Sequence, residues 1–261
     1  MKTGRNPLKH PPLRNPGESL QEQREQLFDE KLVPYVLAFV LLGTMAAYAW
    51  LIHFGLFVMN PVIFSVMALL SAIALFWKFR RVRIQVRQIN RGIEAEKAVG
   101  QFLEQFRSQG YKVIHDITVK TGDKFFNIDH LLIGPKGLFT IETKSWRKPN
   151  RGKCIIVYDG QKVLINGQAP DRDPIAQALG QSAWVRDYLK SCTALTTIPI
   201  TPLVVYPGWF IDYLQAGNAK VKVASEQLIW SCIQSSPFQL APHDAMLIES
   251  RLSEYIQRKS T

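Results

Sequence analysis

A long uncharged stretch near the N-terminal end of the sequence constrains its fold most strongly. Between residues 32 and 77 there is no Asp, Glu, Lys or Arg, and apart from two tyrosines His53 is the only ionisable side chain. About 20 apolar residues suffice for a helix to cross a bilayer, and residues 33–52 and about 56–77 both reach that length. The sequence therefore predicts a helical hairpin that crosses a membrane twice. A buried helix pair in a soluble protein is the alternative.

Basic residues just after this stretch predict its orientation, because positively charged loops stay on the cytoplasmic side. The basic side chains are Lys78, Arg80, Arg81, Arg83, Arg87 and Arg91, whereas the connector between the two apolar runs has no Lys or Arg. We therefore expect two spans in the inner (cytoplasmic) membrane, with both termini in the cytoplasm. The cluster also suits contact with anionic lipid or with nucleic acid, and the net charge of +11 suits either partner.

The sequence around the apolar stretch predicts three regions. Residues 1–31 hold several prolines and mixed charges, which indicate a flexible cytoplasmic arm. Residues 32–91 comprise the predicted transmembrane hairpin and its basic linker. Residues 92–261 predict an α/β domain in the order helix, three strands, two short strands, helix, two strands, helices. Because this order is not strictly alternating, it favours a mixed central sheet flanked by helices.

Two acids and a lysine lie at neighbouring ends of a predicted β-hairpin. Residues 131–133 and 138–141 form its arms, joined by a Gly-Pro-Lys-Gly turn. Side chains two positions apart on a strand share a face, so Glu142 and Lys144 point the same way, with Asp129 close by. Such carboxylates can hold a hard divalent ion with an ammonium group beside the water that the ion activates, as in many metal-dependent nucleases.

Four motifs in a fixed order resemble the nuclease-related domain (NERD) family, which is placed in the restriction-endonuclease-like PD-(D/E)xK superfamily. The motifs are Gly92-x-x-x-Glu96-x-x-Val99, Ile128-Asp129-His130, Gly137-x-Phe139-x-Ile141-Glu142-Thr143-Lys144-x-Trp146 and Asp173-Pro174-x-x-Gln177. The resemblance covers roughly residues 91–189. Ile128 stands where the superfamily name has Pro, and within the nuclease-related domain that Ile is expected. The resemblance implies a restriction-endonuclease-like fold.

The resemblance also implies a metal site and its ligands. Asp129 and Glu142 would be carboxylate ligands of Mg²⁺ or Mn²⁺, with the backbone carbonyl of Thr143 as a possible third ligand. Glu96, on the first helix of the domain, would reach the same ion directly or through water. Considered alone, Glu96 is more often a solvated helix residue.

Two further residues receive catalytic roles from the resemblance. Lys144 would orient or help to deprotonate the attacking water and offset charge on the phosphate. Gln177 would brace the site or touch the substrate backbone, although a purely structural hydrogen bond is the simpler interpretation. An ion pair between Lys144 and Asp129 or Glu142 would also satisfy burial without catalysis.

A basic and aromatic segment follows Lys144 and could grip a nucleic-acid backbone by phosphate contacts and stacking. Its candidate residues are Trp146, Arg147, Lys148, Arg151 and Lys153. A solvated loop is the alternative. His130 should face away from Asp129 on a regular strand and pack or hydrogen-bond elsewhere. Trp209 and Phe210 could line the same cleft or simply pack.

These observations predict a membrane-anchored, cytosol-facing enzyme that hydrolyses DNA phosphodiester bonds with Mg²⁺ or Mn²⁺. The alternatives are a non-catalytic nucleic-acid-binding module at the membrane and a membrane scaffold that recruits proteins. The sequence has neither a GxxxxGK[ST] nor a GxGxxG phosphate loop, which disfavours nucleotide hydrolysis. Its three cysteines, Cys154, Cys192 and Cys232, are far apart, so we expect free thiols and neither zinc nor disulfides.

Overall fold

The computed structural model of the protein describes residues 14–55, 61–121, 124–149, 154–214 and 219–260. These residues fall into two compact units. One unit is Leu20–Arg91, and the other combines the described residues of Met1–Ser19 with those of Gly92–Thr261. The helices are α1 (Glu18–Lys31), α2 (Val33–His53), α3 (Pro61–Glu104), α4 (Pro174–Cys192), α5 (Ile229–Gln234) and α6 (Pro242–Ser260).

The first unit presents an unusually apolar surface. Leu37, Leu41 and Leu51 of α2 are each more than 60% exposed, with fractions of 63%, 61% and 71%. Leu69 and Trp77 of α3 are each 61% exposed. Among the described residues, one continuous helical stretch, Glu18–His53, is long and apolar enough to cross a membrane by its length and composition.

Helix α3 runs without a break from the apolar stretch into the α/β domain. The sequence predicts a separate helix near its end, and the structure instead gives one helix over Pro61–Glu104. A short 3₁₀ helix, Gln105–Gln109, follows and ends at Gly110, whose φ of 82° reverses the chain. Glycine adopts this left-handed conformation without the steric cost that other residues incur. The domain is therefore attached directly to the end of a long helix.

Five strands form the central sheet in the order β1-β2-β3-β6-β8. Their bounds are β1 Lys112–Thr121, β2 Lys124–Gly134, β3 Gly137–Thr143, β6 Ile200–Val205 and β8 Lys222–Ala224. The first three strands are antiparallel, whereas β6 is parallel to both β3 and β8. The predicted mixed sheet is therefore confirmed.

Helices cover both faces of this sheet, as predicted. On one face, residues of α4 and α6 such as Val185 and Leu252 pack against strand residues such as Leu131 and Leu138. On the other face, Val99 and Leu103 of α3 pack with residues of β2, β3 and α5. Burial on both sides explains why β3, with its sequence Gly-Leu-Phe-Thr-Ile-Glu-Thr, is buried along its whole length.

A second sheet of three short strands stands in the order β5-β4-β7. The strands are β4 Ile155–Tyr158, β5 Val163–Ile165 and β7 Phe210–Tyr213. The sequence predicts the hairpin of β4 and β5 but not β7, which has four residues and pairs in parallel with β4 through a contact distant in sequence. Cys154, Cys192 and Cys232 have free thiols.

Candidate active site

Strand pairing brings the two predicted metal ligands together. His130 of β2 pairs with Ile141 of β3, so the next residues along, Asp129 and Glu142, face each other across the two strands. Both side chains are nearly inaccessible, with exposed fractions of 6% for Asp129 and 3% for Glu142. The Thr143 amide donates a hydrogen bond of 2.7 Å to Asp129 Oδ2. The role of the Thr143 carbonyl remains a prediction.

Lys144 and Gln177 both contact Glu142. Lys144 Nζ lies 2.6 Å from Glu142 Oε1 and 2.7 Å from Gln177 Oε1. Gln177 Nε2 donates to the same Glu142 oxygen at 2.7 Å. Asp173 caps α4 by accepting hydrogen bonds from the Ile175 and Ala176 amides, which fixes the start of the helix and presents Gln177 in its first turns.

Gln181 is a site residue that the sequence analysis missed. Its Nε2 atom lies 2.5 Å from Glu142 Oε2 and 2.8 Å from the carbonyl oxygen of Asn127. The available signal was its spacing, because residues four apart on a helix share a face and Gln177 was already a candidate. Together Gln177 and Gln181 supply donors to both oxygens of Glu142.

Glu96 of α3 lies in the same buried region and is only 5% exposed. Its Oε2 atom is buried without a hydrogen-bond partner. Burial, followed by the nearby charges of Asp116 and Glu142, raises the pKa of Glu96 to about 8. We call Glu96, Asp129 and Glu142 the acid cluster.

If all of its carboxyl groups were ionised, the acid cluster would carry more negative charge than Lys144 can balance. Burial raises the pKa of Asp129 well above its usual value, and the charges of Glu142 and Glu96 raise it further. The Thr143 amide and the Lys144 ammonium act in the opposite direction. Several carboxylates buried around one lysine repel each other and need a proton or a cation to be stabilised.

A fourth buried acid, Asp116, lies beside this cluster and was not predicted. Asp116 has no exposed surface and a φ of 53°, which is rare for a residue other than glycine. Arg14 forms an ion pair with it at 2.7 Å, and Asn127 Nδ2 donates to its Oδ1 at 2.6 Å. No sequence signal marked Asp116, because its partner Arg14 belongs to the arm predicted to be flexible.

The donor atoms of the acid cluster determine whether it suits a divalent ion. Among the described residues, no three carboxylate, imidazole or thiolate side chains already converge as a metal site. The buried Glu96 Oε2, however, has no partner, and carboxylate oxygens are the donors that Mg²⁺ and Mn²⁺ prefer. The chemistry of the donor set therefore fits a hard divalent cation, with the carboxylates turning toward it.

His130 lies away from the acid cluster, as expected from strand alternation. It is fully buried, and its Nδ1 atom lies 2.8 Å from Nδ1 of His115. His115 in turn contacts Glu104 through Nε2 at 3.0 Å. Burial lowers the pKa of both histidines, so the pair packs in neutral form. These residues belong to the interior of the domain.

The structure describes only part of the predicted nucleic-acid-binding segment. Trp146, Arg147 and Lys148 are exposed after β3, whereas Arg151 and Lys153 lie outside the described residues. Trp209 is buried, with 4% of its surface exposed, and Phe210 is 68% exposed. Trp209 therefore packs in the interior, as one of its two predicted roles required.

A recess of about 220 Å³ opens beside Lys144. Its walls include Trp146, Arg172 and Tyr206, and Trp146 keeps 37% of its surface exposed. Burial, and then the charge of Glu142, raises the pKa of the Tyr206 hydroxyl well above its usual value. The recess adjoins the acid cluster through Lys144, which contacts Glu142, and its lining carries two basic side chains and two aromatic rings. Arg172 and Tyr206 were not predicted as site residues.

Comparison with known proteins relates part of the chain to one family. Residues 91–207 match the family model of the nuclease-related domain, so the chain contains a nuclease-related domain over these residues. No curated protein matches the chain.

Two solved structures are similar to the chain. One is the crystal structure of a protein of unknown function, AF1548, with 11% identity over 62% of this chain and 96% of that chain, at a TM-score of 0.28. The other is protein VC1899 from Vibrio cholerae, with 11% identity over 94% of this chain and 57% of that chain, at a TM-score of 0.29.

Proposed function

We propose that the nuclease-related domain hydrolyses phosphodiester bonds of nucleic acid, with DNA as the preferred substrate and Mg²⁺ or Mn²⁺ as cofactor. The observation that carries this proposal is the burial of Asp129, Glu142 and Glu96 around Lys144, together with the match to a nuclease-related family. A purely structural role seldom explains several buried acids beside one lysine, because burying a charge without a partner destabilises the fold.

The residues of the acid cluster have distinct tasks in this proposal. Asp129 and Glu142 would hold the ion, and the unpartnered Oε2 of Glu96 would supply a further donor, directly or through water. A bound divalent ion lowers the pKa of water and stabilises the leaving oxygen. Gln177 and Gln181 fix the Glu142 carboxylate through their amide groups.

Lys144 acts on the reacting groups. Its Nζ atom is held by Glu142 Oε1 and Gln177 Oε1 and also borders the recess. From this place the ammonium group can donate a hydrogen bond to the attacking water or to a phosphate oxygen and offset the charge that develops there. Arg172 and Trp146 of the recess then contact the neighbouring phosphate and base.

We also propose that the apolar helices anchor the protein in a membrane through two crossings. Large apolar side chains of α2 and α3 are exposed, and such surface is stable in lipid. An even number of crossings is supported by the ion pair inside the domain unit between Arg14, before the helices, and Asp116, after them. In this proposal both ends of the apolar stretch lie on one side of the membrane, and the basic residues that follow favour the cytoplasmic side.

A second candidate is a nucleic-acid-binding module without catalysis. One observation favours it: Lys144, Gln177 and Gln181 already satisfy both oxygens of Glu142 without a metal. In this case the fold would hold nucleic acid near the membrane, and binding would not depend on divalent ions.

One experiment separates the two candidates. Purified full-length protein in detergent is mixed with plasmid, linear and single-stranded DNA and with RNA, in Mg²⁺, Mn²⁺ or EDTA, beside an Asp129→Asn variant. Cleavage that requires a metal and is lost in the variant supports the enzyme. Binding that is equal in EDTA and unchanged in the variant, with no cleavage in any metal, supports the binding module.

A further inference from the structure

The segment just before the apolar helices packs against the nuclease-related domain, and we call residues 14–19 the strap. Pro16 lies against α3 at Gly100, where an added Cβ would come within 2.6 Å of Pro16 Cγ. Gly17 has a φ of 74° and lies against Ile93 of the same helix. A close approach and a left-handed residue at this turn both favour glycine. The strap is thus fitted to the first domain turns of α3.

The strap contacts two buried acids. The Gly17 backbone lies near enough to the Glu96 carboxylate to lower its pKa. Arg14 Nε lies 2.7 Å from Asp116 Oδ2, and the Ser19 amide donates to the same oxygen at 3.0 Å. The ion pair is protected from solvent, since the exposed fractions of the side chains are 17% for Arg14 and 0% for Asp116.

These bonds bear on the acid cluster because Asp116 and Glu96 are neighbours whose charges interact. A buried carboxylate without a partner is strongly unfavourable, so Asp116 needs the guanidinium of Arg14 to stay in place. Asp116 is also bonded to Asn127, whose backbone carbonyl accepts a hydrogen bond from Gln181. A continuous set of hydrogen bonds therefore joins the strap to the residues around Glu142.

We propose that the strap is a positioning element of the active site, in which Arg14 and the Ser19 amide hold Asp116 beside Glu96 in the arrangement that catalysis needs. This inference rests on the proposed nuclease function. The family match begins at residue 91, so the strap is a part of the site supplied by sequence on the other side of the apolar helices. A domain fragment that starts after those helices would lack it.

Full-length protein in detergent provides the test, with DNA cleavage followed for Arg14→Ala, Arg14→Lys and the double variant Arg14→Ala/Asp116→Asn. Misplacing a catalytic group by a small distance lowers turnover, so we expect kcat of Arg14→Ala to fall about tenfold or more while KM for DNA is unchanged. Arg14→Lys should retain part of the rate. The double variant should recover part of it, because the charge left without a partner is removed. Arg24→Ala is the matched control and should stay within about twofold of wild type.

Two cleavage results would overturn the inference. One is an Arg14→Ala protein with wild-type kcat. The other is a rise in KM at constant kcat, which would make Arg14 a substrate contact instead of a positioning residue.

Amide hydrogen exchange on the same samples tests the strap without relying on cleavage. We expect the Ser19 amide, which donates to Asp116, to be protected in the wild type and to exchange faster in Arg14→Ala. Fast exchange in the wild type would overturn the inference. A wild type that cleaves nothing would overturn the proposed function. In that case, protection of the strap would still support its contact with the buried acids.

Discussion

Glu142 is the residue on which the contacts of the candidate site converge. Its two oxygens accept hydrogen bonds from Lys144, Gln177 and Gln181 at 2.5 to 2.7 Å. Hydrogen bonds to a charged group contribute about 1.5–3 kcal/mol each, so the carboxylate is held firmly in one orientation. Preorganisation of this kind is what a site for phosphoryl chemistry requires.

Replacing Gln181 with Met should weaken both the fold and the site. The change removes the donor to Glu142 Oε2 and leaves the Asn127 carbonyl without its partner. Leaving buried polar groups unpaired costs about 1–3 kcal/mol, and we expect cleavage to fall with it. Denaturant unfolding and cleavage rates measure the two effects. Gln161→Met, at an exposed position, is the control, and equal stability of both variants would refute the role of Gln181.

Glu96 should make the stability of the metal-free protein depend on pH. Its pKa is raised from 4.5 to about 8, so the folded state binds the proton more tightly than the unfolded state. The resulting stability is complete below pH 4.5 and is lost as the pH rises through about 8. Glu96→Gln, which stays neutral, should therefore gain in melting temperature over the wild type as the pH rises in EDTA. Parallel curves for the two proteins would contradict the assignment.

The sequence predicts part of the site at this scale. Motif order is enough to single out Glu96, Asp129, Glu142, Lys144 and Gln177, and the structure brings them together; their catalytic roles stay predictions. Gln181 and Asp116 are absent from the predicted set because no motif marks them, and their contacts exist only once distant elements pack. Arg14 is the clearest case, since it lies 102 positions before Asp116 and pairs with it in space.

At the scale of elements, the β2–β3 hairpin sets the geometry of the site. Its tight turn fixes the register in which Asp129 faces Glu142, and a slip by one residue would move one of them to the opposite face. The turn ends at Gly137, whose φ is 102° and where an added Cβ would come within 2.8 Å of the Pro199 carbonyl oxygen. This position therefore requires glycine for both conformation and space.

Gly137→Ala and Gly180→Ala form a matched pair that tests this argument. Gly137→Ala should destabilise the domain by about 1–3 kcal/mol, because the backbone is strained and the methyl group meets a carbonyl oxygen. Gly180 lies in α4 with no atom within 4 Å of an added Cβ, so Gly180→Ala should stabilise by about 0.5–1 kcal/mol. Denaturant unfolding measures both, and a Gly137→Ala protein as stable as Gly180→Ala would contradict the role of the turn.

Element types were easier to predict than their limits and partners. Alternating apolar residues and the Gly-Pro-Lys-Gly turn were sufficient to predict the β2–β3 hairpin. The Asp-Pro pair was sufficient to predict the start of α4. The fusion of the apolar run with the first domain helix into α3 was not marked by any capping residue. Strand β7 was missed because it is only four residues long, Phe210–Tyr213, and its partner β4 lies far away in the chain.

At the scale of the whole molecule, the strap and the domain are separated in sequence by the apolar helices. Since Arg14 and Asp116 are in contact, the chain must leave the domain unit and return to it. A single crossing of a membrane would place these residues on opposite sides. The proposed anchor of two spans meets this requirement. In the sequence, the lengths of the two apolar runs were the only basis for predicting two spans.

Peptide tags at the N-terminus and at the C-terminus can show whether the chain crosses the membrane an even or an odd number of times. In sealed inverted vesicles we expect protease to remove both tags, and in vesicles of the native orientation neither. If the chain crosses the membrane twice, the connector near His53 is also protected from the protease in inverted vesicles. Opposite accessibility of the two tags would contradict both the two-span anchor and the docking of the strap.

The central claim, that the acid cluster and Lys144 cleave nucleic acid with a divalent ion, is tested most directly by one comparison. Cleavage of labelled DNA by full-length wild type and by Lys144→Met is measured over a range of Mn²⁺ concentrations. We predict metal-dependent cleavage by the wild type and a loss of about 100-fold or more in the variant, with little change in half-saturating Mn²⁺. No cleavage by the wild type, or an equal rate in the variant, would contradict the account.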